Sequence, residues 1–369
     1  MKTNYHTHTT WCDGKDSPEA VVLAAIEKGF GAIGFSSHAM LPEDDTSWVL
    51  TPEKAPRYAA EIRTLAKKYE GRIRILCGVE ADYVPGGATP DRRAYAAISP
   101  DYIIGSVHFV VAPDGARVCV DESPESLEDG IRRHFGGDAE AYLHAYFAQV
   151  REMLLSCDFD VVGHLDLVRK FNTRHPYFDE TAPWYLAELD RTADAVSASG
   201  KIAEVNTGAI SRGWLDDAYP SAAFRDRLRA SGVKFILSAD DHAADAIYCA
   251  LDQFGDCEVF LPSPSIPLHP PCLIASALER GGTSVVYLRH GKNGYFSAGG
   301  SRRGGAWQQH RAARGPACVG PARALRNAGD ASRAGEQPAR QRGGGRAAGI
   351  RAPPLPESGR RVRDVARGT

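Results

Sequence analysis

Histidine and carboxylate side chains recur along the chain where they could share a metal ion. His6 and His8 are separated by one residue in a segment expected to be extended, and the side chains of a strand alternate sides with a period of two. Both imidazoles can therefore reach one ion, and Asp13 follows them in a turn marked by Asp-Gly. Taken alone, the pattern fits an N-terminal strand with polar surface histidines equally well.

Further candidate ligands each end or directly follow a short apolar segment. They are His38, Glu80, His108, His164, Asp240 and His242. The segments that precede them, such as 73–79 and 102–107, have the short and nearly continuous apolar character of strands in a buried parallel sheet. One more segment of this kind, 201–205, ends at Asn206.

Helices are expected between these strands. The order Ser17, Pro18, Glu19 is typical of a helix start, and Gly29 is typical of a helix end. The predicted helices cover 18–28, 51–66, 139–155, 181–199, 221–231 and, after the last ligand, 244–254. Seven strands that alternate with helices or longer connections predict an α/β protein built as a (β/α) barrel, whose active site would lie at the carboxyl ends of the strands.

Charge is distributed unevenly along the 369 residues. Residues 301–369 contain 15 Arg, no Lys and 4 acidic residues, against 29 basic and 42 acidic residues in 1–300. An acidic body argues against a large nucleic-acid footprint, and an acidic enzyme that handles phosphate esters would need cations in its site.

The eight cysteines are scattered without a CxxC pair, and several lie in apolar runs. This usage predicts reduced thiols and a cytoplasmic protein. Neither a signal peptide nor an apolar run long enough to span a membrane is expected.

The sequence resembles the polymerase and histidinol phosphatase (PHP) superfamily and, within it, the monofunctional histidinol-phosphatases. The matching blocks, in family order over about 3–245, are HTH (6–8) with DG (13–14), SSH (36–38), GVEADY (78–83), GSVHF (105–109), GHLDL (163–167), EVNT (204–207) and SADDH (238–242). The resemblance implies a distorted, TIM-like (β/α)7 barrel, the PHP fold, over residues 1–299.

The resemblance also implies three divalent metals per chain. His6, His8, Glu80 and Asp240 would hold the first; Asp13, His38 and His242 the second; and His108 and His164 the third, with Glu80 as a bridge. Imidazole and carboxylate ligands suit Zn, Mn or Fe. Such metals would lower the pKa of a bridging water and supply the hydroxide that attacks phosphorus, so that no protein nucleophile is required.

A phosphate ester also needs cationic groups. Candidates in loops after strand ends are Arg169, Lys170 and Arg212; the resemblance favours Arg169 and Arg212, and each could instead be a solvated loop charge. The resulting hypothesis is hydrolysis of L-histidinol phosphate in histidine biosynthesis. A competing serine or cysteine phosphatase is disfavoured, because no Cys-x5-Arg loop is present.

Two alternatives stay open at this point. One is a phosphoesterase of the same fold that acts on nucleotides or other small phosphates. The other is a metal-holding barrel with an Arg-rich, RNA-binding arm, which deletion of residues 301–369 would test.

The C-terminal region departs from the family pattern. Residues 260–271 are too rich in proline for a helix or a central strand, and 284–296 resemble a closing strand and hairpin. The composition of residues 300–369 predicts disorder. An inert tail or a stretch translated out of frame is favoured there over weak RNA binding.

Overall fold

The structure is a computed structural model that describes residues 1–39, 46–255, 275–280, 283–289 and 295–299. The chain forms two compact units, Met1–Leu268 and His269–Thr369.

Parallel strands form the centre of the first unit. Its strands are β1 (Lys2–Asn4), β2 (Phe30–Phe35), β3 (Arg74–Asp82), β4 (Tyr102–Ser106), β5 (Phe109–Val111), β6 (Arg117–Cys119), β7 (Val161–Val162), β8 (Ile202–Asn206) and β9 (Phe235–Ser238). Seven of them make one parallel sheet in the order β1-β2-β3-β4-β7-β8-β9. A parallel bridge between Thr7 and Asp241, just beyond β1 and β9, nearly closes this sheet. The predicted seven-stranded (β/α) barrel is confirmed.

Helices connect the strands along the chain. In the described residues the α-helices are α1 (Pro18–Glu27), α2 (Ala55–Lys68), α3 (Pro124–His134), α4 (Ala139–Ser156), α5 (Pro183–Ser199), α6 (Gly208–Ser211) and α7 (Ala222–Ala230), and 3-10 turns cover Thr46–Trp48, Arg92–Tyr95, Leu167–Arg169 and Leu251–Phe254. The start of α1 is as predicted, because the Ser17 side chain accepts a hydrogen bond from the amide of Ala20. Gly29 follows the helix with φ +74°. Among the described helices, none combines the length and the apolar character that crossing a membrane requires.

Two helix predictions need correction. The second helix begins at Ala55 rather than at residue 51, because residues 52–54 form a turn in which the amide of Lys54 donates to the carbonyl of Thr51. The helix predicted at 244–254 is wrong, because this segment contains only the short 3-10 turn. Its backbone is bonded elsewhere: the carbonyl of Cys249 accepts a hydrogen bond from the Thr207 hydroxyl at 2.8 Å, and Ala250 has φ +54°.

A hairpin and a helix that the sequence analysis does not predict follow His108. The strands β5 and β6 pair antiparallel, and α3 comes next with Ser123 as its N-cap. Strands of three residues are too short for side-chain alternation to be recognised in a sequence. The amide of Val120 donates to the carbonyl of His108 at 2.9 Å, so the end of the hairpin is fixed beside the barrel strand ends.

Side-chain alternation decides what points into the barrel. Along β3, Leu76, Gly78 and Glu80 share one face, and along β4 Tyr102 and Ile104 do. A buried apolar cluster contains Tyr5, Ala32, Leu76, Tyr102, Ile104, Val161 and Ile236. The same alternation that places these apolar residues inside the barrel places polar residues inside at its carboxyl end.

The Tyr102 ring occupies the space that two strand glycines leave open. A Cβ at Gly34 would lie 2.4 Å from the Tyr102 hydroxyl oxygen, and one at Gly78 would lie 2.4 Å from Cζ of the ring. The hydroxyl donates to the carbonyls of Tyr5 at 2.6 Å and Phe35 at 3.1 Å. Tyr102, in β4, therefore contacts β2, β3 and the residue Tyr5 just beyond β1, beneath the polar end of the barrel.

In the second unit, β10 (Ala275–Arg280), β11 (Thr283–Arg289) and β12 (Tyr295–Gly299) form an antiparallel sheet, which includes the hairpin predicted at 284–296. The proline-rich break at 260–271 and the tail at 300–369 lie outside the described residues.

We expect Gly78→Ala to lower the free energy of unfolding by about 1–3 kcal/mol, because the added methyl overlaps the Tyr102 ring. Urea unfolding measures this change. Gly87→Ala is the matched control, since its Cβ would meet Val84 at an ordinary 3.6 Å. Equal stabilities of the two variants would contradict this packing.

Candidate metal centre

One buried carboxylate lies at the centre of the predicted ligands. Glu80 is 1% exposed. Its Oε2 lies 3.1 Å from Nε2 of His6, 3.5 Å from Nε2 of His8 and 3.0 Å from Nδ1 of His38. Its Oε1 lies 3.0 Å from Nε2 of His164. Four imidazoles from three parts of the chain thus surround one side chain.

His108 completes this ring. Its Nε2 is 3.4 Å from Oε1 of Glu80, and the Ser106 hydroxyl donates to the same oxygen at 2.7 Å. Ser106 ends β4 and His108 follows two residues later, so strand alternation directs both side chains to the barrel axis.

Asp13 and His242 form the outer part of the cluster. The carboxylate of Asp13 lies 3.2 Å from Nε2 of His242 and 3.8 Å from both Nδ1 of His8 and Nε2 of His38. The bridge between the ends of β1 and β9 brings these sequence-distant residues together. Asp13 is the most exposed member, with 36% of its side chain accessible.

Asp240 links the outer and inner parts. Its Oδ1 lies 3.5 Å from Nε2 of His8 and 3.7 Å from Nε2 of His6. The backbone of Asp240 has φ +49°, a left-handed conformation that aspartate tolerates better than most residues.

The structure brings all nine predicted ligands together, but it groups them somewhat differently from the family assignment. Four sets have potential ligand atoms within 4.8 Å of one another: His8, Asp13, His38 and His242; His6, Glu80 and His164; His6, His8 and Asp240; and His38, Glu80 and His108. His8 joins the outer set, and His6 is shared between two inner sets.

The donor atoms fit divalent metals. His6 Nε2, His8 Nε2, His38 Nδ1, Glu80 Oε2 and His164 Nδ1 are all buried without a hydrogen bond of acceptable geometry. A buried polar atom without a partner costs about 1–3 kcal/mol, and four of these five atoms face the centre of the cluster. Metal coordination would compensate this cost.

The electrostatics favour cations. Burial raises the pKa of the Glu80 carboxyl, but the neighbouring His6 and His108 outweigh it and hold this pKa well below its usual range. Burial lowers the pKa of His108, and the carboxylates of Asp82 and Glu80 outweigh this and raise it to about 10. The pKa of His6 is raised well above its usual value because Glu204 and Glu80 outweigh its burial. In the absence of metal, protons therefore balance the carboxylates.

Two supporting carboxylates were not singled out from the sequence. Glu204 accepts from Nδ1 of His6 at 2.6 Å, and Asp82 accepts from Nδ1 of His108 at 2.8 Å. These contacts fix which ring nitrogen of each histidine is free. Spacing along the strands could have identified both residues as inward-facing. Asp82 comes two residues after Glu80, and Glu204 comes two residues before Asn206, so each lies on the inward face of its strand.

Of the three predicted phosphate ligands, the structure brings two to the cavity that adjoins the cluster. Lys170 and Arg212 line this cavity with His108, His164 and Asp240. Nη2 of Arg212 lies 3.0 Å from the carbonyl oxygen of Asp240 and 2.9 Å from Nδ1 of His242.

Arg169, the third predicted phosphate ligand, is not among the described residues that line this cavity. Its side chain is buried, with Nε donating to Glu180 at 2.6 Å and Nη1 lying 3.7 Å from Asp166. Arg169 ends a 3-10 turn, in which consecutive side chains diverge by about a third of a turn. Lys170 therefore faces the cavity, whereas Arg169 pairs with Glu180 within the loop.

The chain is similar to proteins of known family. The sequence model of the PHP domain matches residues 4–208. A Deinococcus radiodurans protein named "Probable histidinol-phosphatase" is 29% identical over 242 residues, which are 64% of this chain and 85% of the relative. The histidinol-phosphatase of Bacillus subtilis is 26% identical over 270 residues, which are 69% of this chain and 98% of the relative.

A solved structure has the same fold. It is the crystal structure of a Listeria monocytogenes protein described as a candidate histidinol phosphatase, with a TM-score of 0.62 and 23% identity, covering 69% of this chain and 100% of that one.

We expect metal binding to metal-free protein near neutral pH to release protons. The raised pKa values of His6 and His108 keep these groups protonated at that pH, and an imidazole nitrogen must lose its proton to bind a metal. Calorimetric titration with Zn²⁺ in buffers of different ionisation enthalpy measures the protons released, and His108→Asn should release fewer. A binding heat independent of the buffer would contradict the charge state described for the cluster.

Proposed function

The chain belongs to the PHP family, and we propose that it is a histidinol-phosphatase, a metal-dependent enzyme that hydrolyses L-histidinol phosphate to L-histidinol and phosphate in histidine biosynthesis. One observation carries the proposal: a cluster of imidazoles and carboxylates suited to divalent metals borders the same cavity as two cations suited to phosphate. Two histidinol-phosphatase relatives that match over 85% and 98% of their own length support it.

The proposed metal ligands are the nine residues of the cluster: His6, His8, Asp13, His38, Glu80, His108, His164, Asp240 and His242. We propose three divalent ions of Zn, Mn or Fe, since the set combines imidazole and carboxylate without requiring a thiolate. Bound metals supply positive charge beside the phosphoryl oxygens and a water of lowered pKa.

The chain's own residues prepare this chemistry. Glu204 and Asp82 accept from Nδ1 of His6 and His108, so the Nε2 atoms of these rings face the cluster. Asp240 stays ionised, because Arg212 and His6 outweigh its burial and hold its pKa well below the usual range. A fixed set of ionised carboxylates and oriented imidazoles requires little reorganisation when metals bind.

Arg212 and Lys170 are the proposed phosphate ligands. The guanidinium of Arg212 lies directly beside Asp240 and His242, so a phosphoryl group held by it would also border the metal ligands. Lys170 contributes a second positive charge on a flexible stem. Arg169 is not included, because it is not among the described residues that line the cavity and its buried guanidinium pairs with Glu180 instead.

The remaining walls suit the organic part of the substrate. Trp48, Phe109 and Leu167 line the cavity and offer apolar surface for an imidazole ring. The Trp48 ring also packs edge-on against His38, with 5.2 Å between centroids.

We further propose a cytoplasmic location. The described cysteines Cys12, Cys77, Cys119, Cys157 and Cys249 are free, and thiols stay reduced in the cytoplasm.

We expect the Zn²⁺- or Mn²⁺-loaded full-length protein to release phosphate from L-histidinol phosphate, and to turn over a nucleotide monophosphate much more slowly. A phosphate-release assay on both compounds measures this, with chelator-treated protein as the control. Absence of release from histidinol phosphate would refute the proposal, and faster turnover of the nucleotide would favour the general phosphoesterase.

A further inference from the structure

Two carboxylates in the cavity have no part in the metal cluster. Among the described residues, the carboxylates that line it are Asp13, Glu80, Asp121, Glu122 and Asp240. Glu122 is exposed and accepts a hydrogen bond from the Ser126 hydroxyl at 2.7 Å. Asp121 is better covered, with 28% of its side chain accessible, and is therefore the carboxylate best placed to contact a bound molecule away from the metals.

Asp121 already binds an alkylammonium group in this structure. Nζ of Lys170 lies 3.0 Å from its Oδ2 and 2.7 Å from its carbonyl oxygen. A primary ammonium is thus accommodated between two oxygens of one residue. Asp121 is ionised, because Lys170 and His108 outweigh its burial and lower its pKa to about 2.

The backbone fixes this residue against the site. Val120 donates its amide to the carbonyl of His108, so the end of the β5–β6 hairpin holds Asp121 one residue beyond that bond. Asp121 therefore contacts Lys170 and lies close enough to His108 to interact with it electrostatically, and all three residues line the cavity.

We propose that Asp121 binds the ammonium group of an aminoalkyl phosphate and so determines substrate specificity. The inference rests on the proposed function. Phosphate draws Lys170 away from Asp121, and the ammonium of the substrate takes the place that Lys170 leaves. Neither charge is left unpaired during the exchange, which matters because a buried charge without a partner is strongly unfavourable.

The test compares L-histidinol phosphate with its analogue that lacks the amino group, 3-(imidazol-4-yl)propyl phosphate. We expect the metal-loaded wild-type enzyme to prefer histidinol phosphate in kcat/KM by about 10- to 100-fold, the range of one charge-assisted hydrogen bond. Asp121→Asn should lose most of this preference through a lower kcat/KM on histidinol phosphate, with little change on the analogue. Glu122→Gln is the matched control and should keep the wild-type preference.

Activity of Asp121→Asn on the analogue shows that the variant is folded and loaded with metal. The inference is overturned if Asp121→Asn keeps the wild-type preference, or if it slows both compounds equally. Failure of the wild-type enzyme to hydrolyse either compound would instead overturn the proposed function, which separates the two claims.

Discussion

Glu80 carries a negative charge inside the barrel, and the rest of the site depends on how that charge is compensated. Its carboxylate is 1% exposed, and five imidazoles of the described residues lie within 3.5 Å of its oxygens. Leaving a buried charge without its partners costs about 3–5 kcal/mol. The strand ends must therefore converge on this residue, and protons or metals must occupy the space between the rings.

Much of this arrangement could be predicted from the sequence, because it follows from strand alternation. A polar residue that ends an apolar strand lies at the carboxyl end of a parallel barrel, and the nine predicted ligands do meet there. In β3, Leu76 and Gly78 lie on the inward face, and Glu80 lies on the same face nearer the carboxyl end of the strand. Alternation along each strand, and the rule that the carboxyl ends of parallel strands meet at one end of a barrel, were sufficient to predict the ligand set.

Other features depend on contacts that the sequence does not reveal. The divergence of Arg169 and Lys170 follows from one 3-10 turn and from the position of Glu180. The hairpin that carries Asp121 is built from strands too short to show a period. The helix predicted at 244–254 fails because the hydroxyl of Thr207, far away in the chain, donates to the carbonyl of Cys249, and the next residue, Ala250, has φ +54°. In each case a tertiary contact overrides a local preference.

The most direct measurement is the metal content of Glu80→Gln, which keeps the shape of the side chain and removes its charge. We expect purified Glu80→Gln to bind fewer metal equivalents per chain than the wild type by elemental analysis, and phosphate release to fall in proportion. Glu122→Gln, which removes a carboxylate from the same cavity but not from the cluster, should keep both. A full metal complement with unchanged activity in Glu80→Gln would contradict the central role given to this carboxylate.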